Sequence, residues 1–203
     1  MLNQVKKDLH AMMNGVLAQQ LRERGQRYRI IYGVELPRLE AYAEELRTEV
    51  ADHQSRHDLA QALWQTETRE CRLLAPMLMP ADLFSPDETD EWAFQSRTQE
   101  EASCLVRYLF AALPYASDKA FHWMAAEQSE VRLCGLLLIA RLMRGGGQLA
   151  PRDEAEFMDQ ADAALGETDL TLRKAAYNAL LCLAEKGLRQ QRLTDSLLAR
   201  HGL

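Results

Sequence analysis

Residues 130–143, EVRLCGLLLIARLM, decide how this chain folds. Val131, Leu133, Cys134, Leu136, Leu137, Leu138, Ile139, Leu142 and Met143 leave a helix over this span no polar face, and a helix that is apolar all round is a buried one. The run is too short to span a bilayer and carries Arg132 and Arg141 near its two ends, so it reads as a central helix that others must cover. Two further stretches share its layout. Residues 64–79, WQTETRECRLLAPMLM, and 165–184, LGETDLTLRKAAYNALLCLA, match residues 123–143 in setting out a bulky residue, a polar break, an arginine and then an apolar run. Arg72, Arg132 and Arg173 hold the same place in each, as in stacked helix pairs.

The bulk properties point the same way. A chain of 203 residues suits one compact domain or a short solenoid, and nothing forces a division of 1–203 into two domains. Leu, Ala, Glu, Arg, Gln and Met dominate, glycine is sparse outside Gly145–Gly147, and no apolar-polar alternation is sustained, so the expected class is all-α. Lys6, Lys7 and Asp8 stand where the apolar core of a signal peptide would begin, and no run is long enough for a membrane span, which predicts a cytoplasmic protein. Cys71, Cys104, Cys134 and Cys182 lie far apart in apolar runs and read as buried reduced thiols. The formal charge of −6 counts against a general nucleic-acid binder, since phosphates call for a surplus of Lys and Arg on some face. Its distribution softens that: residues 1–30 carry six basic groups to two acidic, residues 31–101 six to sixteen, and residues 102–203 twelve of each.

Caps and breakers place the helices. One runs from Leu2 to about Met13, a second follows Asn14-Gly15 and stops at Gly25, and Pro37 opens a third that reaches about Val50. Ser55 to Gln65 and Thr68 to Met79 form a pair, with Pro76 kinking the second or stopping it early. Asp87 to Glu91 start a helix anchored by Trp92 and Phe94, and Thr98 with Glu101 makes a capping box for a helix to Leu113. Ala116–Ala125, the central helix, 151–165, 170–186 and 188–200 follow, with Gly145–Gly147 read as a linker and not a phosphate cradle. About a dozen short helices in pairs describe an α-solenoid, a superhelix of HEAT-like pairs, irregular because the three arginines are 60 and then 41 residues apart.

With the helices placed, the chain resembles the HEAT-like-repeat DNA alkylation repair family, the bacterial alkylpurine DNA glycosylases. The likeness runs from the first helix to about Lys186. It rests on Tyr32-Gly33-Val34 followed by Pro37, on Ala62-Leu63-Trp64 followed by Arg69-Glu70 and the 73–79 helix, and on Trp123 followed by Arg132. The resemblance implies a curved stack of helix pairs that holds duplex DNA on a concave basic face and releases N3- or N7-alkylated purines, with no cofactor. That chemistry needs aromatic faces against the deoxyribose and a carboxylate that stabilises the oxocarbenium ion. Where the family has a Ser-Trp-Trp-Asp-x-x-Asp-like segment, this chain has Ser96-Arg97-Thr98-Gln99-Glu100-Glu101-Ala102. The aromatic places fall on Arg97 and Thr98, the aspartate on Ala102 and a later tryptophan on Asn178.

Glu101 and Tyr177 each sit one residue from a family position, a turn of about 100 degrees round a helix, and Trp92 is the other aromatic within reach. His53 and His57, four apart, read as a solvated face and not a metal pair. The expectation is therefore a scaffold of this family without excision chemistry, binding duplex DNA or another protein, with Arg72, Arg132, Arg173 and Lys174 lining the inner face. One rival keeps the enzyme, using Glu100 or Glu101 with Trp92 or Tyr177. Another makes the acidic middle a protein-docking surface. No membrane and no metal enter any of these readings.

Overall fold

The computed structural model describes residues 1–203 and is helical throughout apart from one parallel bridge between Ile30 and Thr68. The chain forms two compact units, Met1–Glu88 and Thr89–Leu203. The first holds α1 (Leu2–Ala11), α2 (Gly15–Glu23), α3 (Leu36–Glu49), α4 (His53–Trp64) and α5 (Arg69–Leu78). Asn14 starts α2 by accepting the Leu17 N–H, and Gly25, at φ +87, takes the left-handed position just past its end. Asp52 caps α4 through the Ser55 N–H at 2.7 Å, so that helix begins two residues before the serine expected to open it. Pro76 does not stop α5, which continues to Leu78.

The turn between α2 and α3 is fixed from below by α5. The fully buried Glu70 carboxylate accepts the N–H groups of Tyr32 at 3.0 Å, Gly33 at 2.9 Å and Val34 at 3.3 Å. Arg69, also buried, pairs with it at 2.8 Å and donates to the Val34 carbonyl at 3.2 Å. Gly33 sits at φ +76, and a Cβ there would lie 2.2 Å from the Asn14 carbonyl, so no other residue fits.

α6 (Pro86–Phe94) carries the chain into the second unit, which continues with α7 (Gln99–Tyr108), a 3-10 turn at Phe110–Ala112, α8 (Ala116–Met124), α9 (Ser129–Arg144), α10 (Pro151–Leu165), α11 (Leu170–Ala184) and α12 (Leu188–Arg200). α9 is the central helix its sequence describes, packed against α7, α8 and α11. Gly135 lets α8 lie against it, since a Cβ there would stand 2.6 Å from the Met124 nitrogen. Trp123 at the end of α8 is wholly buried, 5.1 Å from the Phe110 ring, and its indole N–H donates to Asp90 at 2.8 Å.

Two expectations are corrected. The helix capped by Thr98 ends at Tyr108 and not at Leu113, because Leu109 leaves helical geometry and the following turn swings Phe110 onto Trp123. Phe94 is not a core anchor; it is 51% exposed, and Trp92 fills that role alone. The repeat register holds: Arg72, Arg132 and Arg173 are each the fourth residue of α5, α9 and α11, and Trp64, Trp123 and Leu165 are buried at the ends of α4, α8 and α10.

Glu70→Ala strands the Arg69 charge and three turn N–H groups, so thermal unfolding should show a loss of about 3–5 kcal/mol, a drop on the order of 10 °C. Gly135→Val should cost about 1–3 kcal/mol by forcing α8 off α9, read as a lower urea midpoint.

Candidate nucleic-acid interface

The segment that aligns with the family's catalytic stretch is spent on starting α7. Thr98 accepts the Glu101 N–H at 3.1 Å, and the Glu101 carboxylate reaches back to the Arg97 N–H at 2.9 Å. Its side chain is turned inward, with the residue 1% exposed. Ala102, Leu105, Val106 and Leu109 recur at helical spacing and are all buried, so Ala102, where the resemblance sets the family aspartate, is a core position. Trp92 is likewise 1% exposed. A cleft of about 150 Å³ opens beside this segment, lined by Thr98, Ser129, Glu130, Asp169 and Thr171, where α7, α9 and α11 begin. It holds carboxylates and no aromatic ring.

α11 supplies the other half. Asp169 caps it through the Thr171 N–H at 2.7 Å, and Leu172, Ala175, Ala176, Ala179 and Leu180 turn inward. Lys174, Tyr177 and Asn178 face out, and with half-buried Arg173 they line a cleft of about 450 Å³ closed by Leu165, Leu170 and Leu203. Neither Arg173 nor Lys174 is in an ion pair with a side chain, and no aspartate or glutamate lines the cleft.

The three repeat arginines share a sequence position and not an environment. Arg72 is 2% exposed, lies 3.8 Å over the Trp64 ring and donates to the Trp64 carbonyl at 2.8 Å, so it has no face to offer a phosphate. Arg132 bonds Glu167 at 2.6 Å, tying α9 to the turn after α10. Arg173 alone is open. The structure thus joins Arg173, Lys174, Tyr177 and Asn178 and leaves Arg72, Arg132, Glu101 and Trp92 elsewhere.

His53 and His57 turn to separate carboxylates, Asp82 at 3.1 Å and Glu88 at 3.3 Å, and no three His, Cys, Asp or Glu side chains gather as a metal would need. The four cysteines are buried and none is in a disulfide; burial pushes the Cys71 thiol up to about 11 and that of Cys134 to about 12. No helix is long and apolar enough to cross a membrane. One feature went unread in the sequence: a cleft of about 690 Å³ that brings Arg107 beside Arg141 and Arg144 at the end of α9. Arginines in a last helical turn signal only a favourable helix end, and nothing local joins them to Arg107.

Comparison with known proteins bears on this geometry. No curated protein sequence matches the chain. A solved structure described as "a new family of proteins related to the HEAT-like repeat DNA glycosylases with affinity for branched DNA structures" superposes with a TM-score of 0.81 at 13% identity, covering 98% of this chain and 82% of that one. The fold is therefore the HEAT-like repeat. The sequence model of the family described as DNA alkylation repair enzyme matches residues 5–202, and by that match the chain belongs to the DNA alkylation repair family.

Proposed function

We propose that this chain is a DNA-binding member of its family that does not break the N-glycosidic bond, with residues 1–203 acting together in the cytoplasm. The observation that carries the reading is the separation of the two groups excision requires. A developing oxocarbenium ion needs a carboxylate and an aromatic face at one point. Here the α7–α9–α11 cleft has Glu130 and Asp169 without a ring, and the α11 cleft has Tyr177 with no aspartate or glutamate side chain. Glu101, the nearest substitute, is buried and engaged by the Arg97 N–H. Binding is a smaller demand: Arg173 and Lys174 can meet phosphates while Tyr177 offers a ring and Asn178 an amide. Family membership and the solved relative's described affinity for branched DNA support DNA as the ligand.

A second reading draws on Leu170 and Leu181, 62% and 40% exposed on the same face, which suit a protein surface. Salt separates the two, because phosphate contact weakens steeply as salt rises and apolar docking does not.

Incubated with alkylated duplex DNA, the purified protein should release no 3-methyladenine or 7-methylguanine above background; robust release that disappears in Glu101→Ala would overturn this. In anisotropy titrations across a salt series, Arg173→Ala and Lys174→Ala should each lower the log–log slope by about one. Arg72→Ala should leave that slope alone and cost about 1–3 kcal/mol of stability. Loss of binding in Arg72→Ala with an unchanged melting temperature would count against the assignment.

A further inference from the structure

We infer that the cleft at the C-terminal end of α9 is a second binding site for nucleic-acid backbone phosphates, separate from the α11 face; the inference rests on the DNA-binding reading. Arg107, Arg141 and Arg144 converge on it, and no aspartate or glutamate lines it. Arg141 and Arg144 are exposed and in no ion pair, while Arg107 stands at the end of α7 with its guanidinium 5.1 Å from the Tyr108 ring. The exposed Arg141 and Arg144 guanidiniums, with Arg107 at the same opening, make a local positive field suited to phosphodiester oxygens in a unit that carries 16 acidic residues to 13 basic.

A helix C-terminus ordinarily repels an anion, because its last carbonyls point outward unpaired. At α9 three of the last four are taken. Gly145, Gly147 and Gly146 donate N–H groups to the carbonyls of Arg141, Leu142 and Met143, each at 3.0 Å. Lys186 adds its ammonium to the Met143 carbonyl at 2.5 Å. With Lys186 serving the helix end, Arg141 and Arg144 are not needed to offset its dipole. The loop that closes these bonds depends on glycine: Gly146 stands at φ +97, and a Cβ on Gly147 would lie 2.8 Å from the Leu142 carbonyl. Across the cleft, Ser117 sits in the first turn of α8, whose N-terminus has no side-chain cap, and Asp118 of that turn is not in the lining. The lining of this site shares no residue with that of the α11 cleft: one gathers at the end of α9, the other along the first half of α11. Two separate linings allow two separate backbone contacts on one nucleic acid.

The test uses the full chain, a fluorescein-labelled duplex and a four-way junction, each titrated by anisotropy over a salt series. Arg141→Gln with Arg144→Gln should lower the log–log slope by about two and weaken binding at least about tenfold at low salt. Arg152→Gln with Arg192→Gln removes the same charge from exposed positions outside the cleft and should leave the slope where it is. An equal effect of both pairs, or a wild-type slope in the cleft variant, would overturn the inference. A normal slope in the Arg173 and Lys174 variants beside a lowered one in the cleft variant would refute the α11 face and leave this site standing. If the wild type binds neither DNA and pyrophosphate raises its melting temperature only while Arg141 and Arg144 are present, the cleft belongs to a small phosphate compound and the nucleic-acid assignment is wrong.

Discussion

A buried carboxylate without enough donors is among the costlier things a fold can contain, and Glu70 is satisfied by the one turn shaped to meet it. Three successive N–H groups from Tyr32, Gly33 and Val34 converge on it, which only a left-handed residue at position 33 allows, and Arg69 balances the charge. The link between α2 and α3 is thereby locked to the start of α5. Glu70 and Gly33 cannot change alone, because loss of the first takes the acceptor from three turn N–H groups and loss of the second removes the left-handed turn; Tyr32 and Val34 enter through main-chain groups that any residue but proline supplies.

That coupling explains why the family is recognisable in this chain. Tyr32-Gly33-Val34 and Arg69-Glu70, two of the segments that carry the resemblance, are the two sides of this one contact. Trp64 and Arg72 form another, ring against guanidinium, and Trp123 is held by Asp90 and Phe110. The signature is therefore structural. The start of α7 sits under no such long-range constraint: Ala102 joins its core face and the Glu101 carboxylate caps it through the Arg97 N–H.

Helix starts and stops were legible because each is written locally, in Asn14, Gly25, Pro37, Thr98, Asp169 and the triple glycine. The central helix was legible because a helix with no polar face has one destination. What could not be read is where a long side chain ends. Arg72, Arg132 and Arg173 share one register, yet one is stacked under a tryptophan, one is paired across a turn and one is open, and the deciding partners lie 8 residues back or 35 ahead. The end of α7 is not written locally either, since Leu109 breaks the helix to bring Phe110 to Trp123, a contact with no local signal.

Net charge misleads in the same way. A total of −6 argues against phosphate only if charges are spread evenly, and in the second unit they are sorted. Carboxylates there are drawn to structural duties: Asp90 holds Lys119 and Trp123, Glu154 holds Arg189, Asp162 holds His201, Glu167 holds Arg132 and Asp169 caps α11. The linings that contain Arg173 and Lys174, or Arg107, Arg141 and Arg144, contain no aspartate or glutamate. An overall negative charge and two positive clefts are then compatible, because Coulomb attraction at a few ångströms depends on the lining while distant surface carboxylates are screened by salt over about 10 Å.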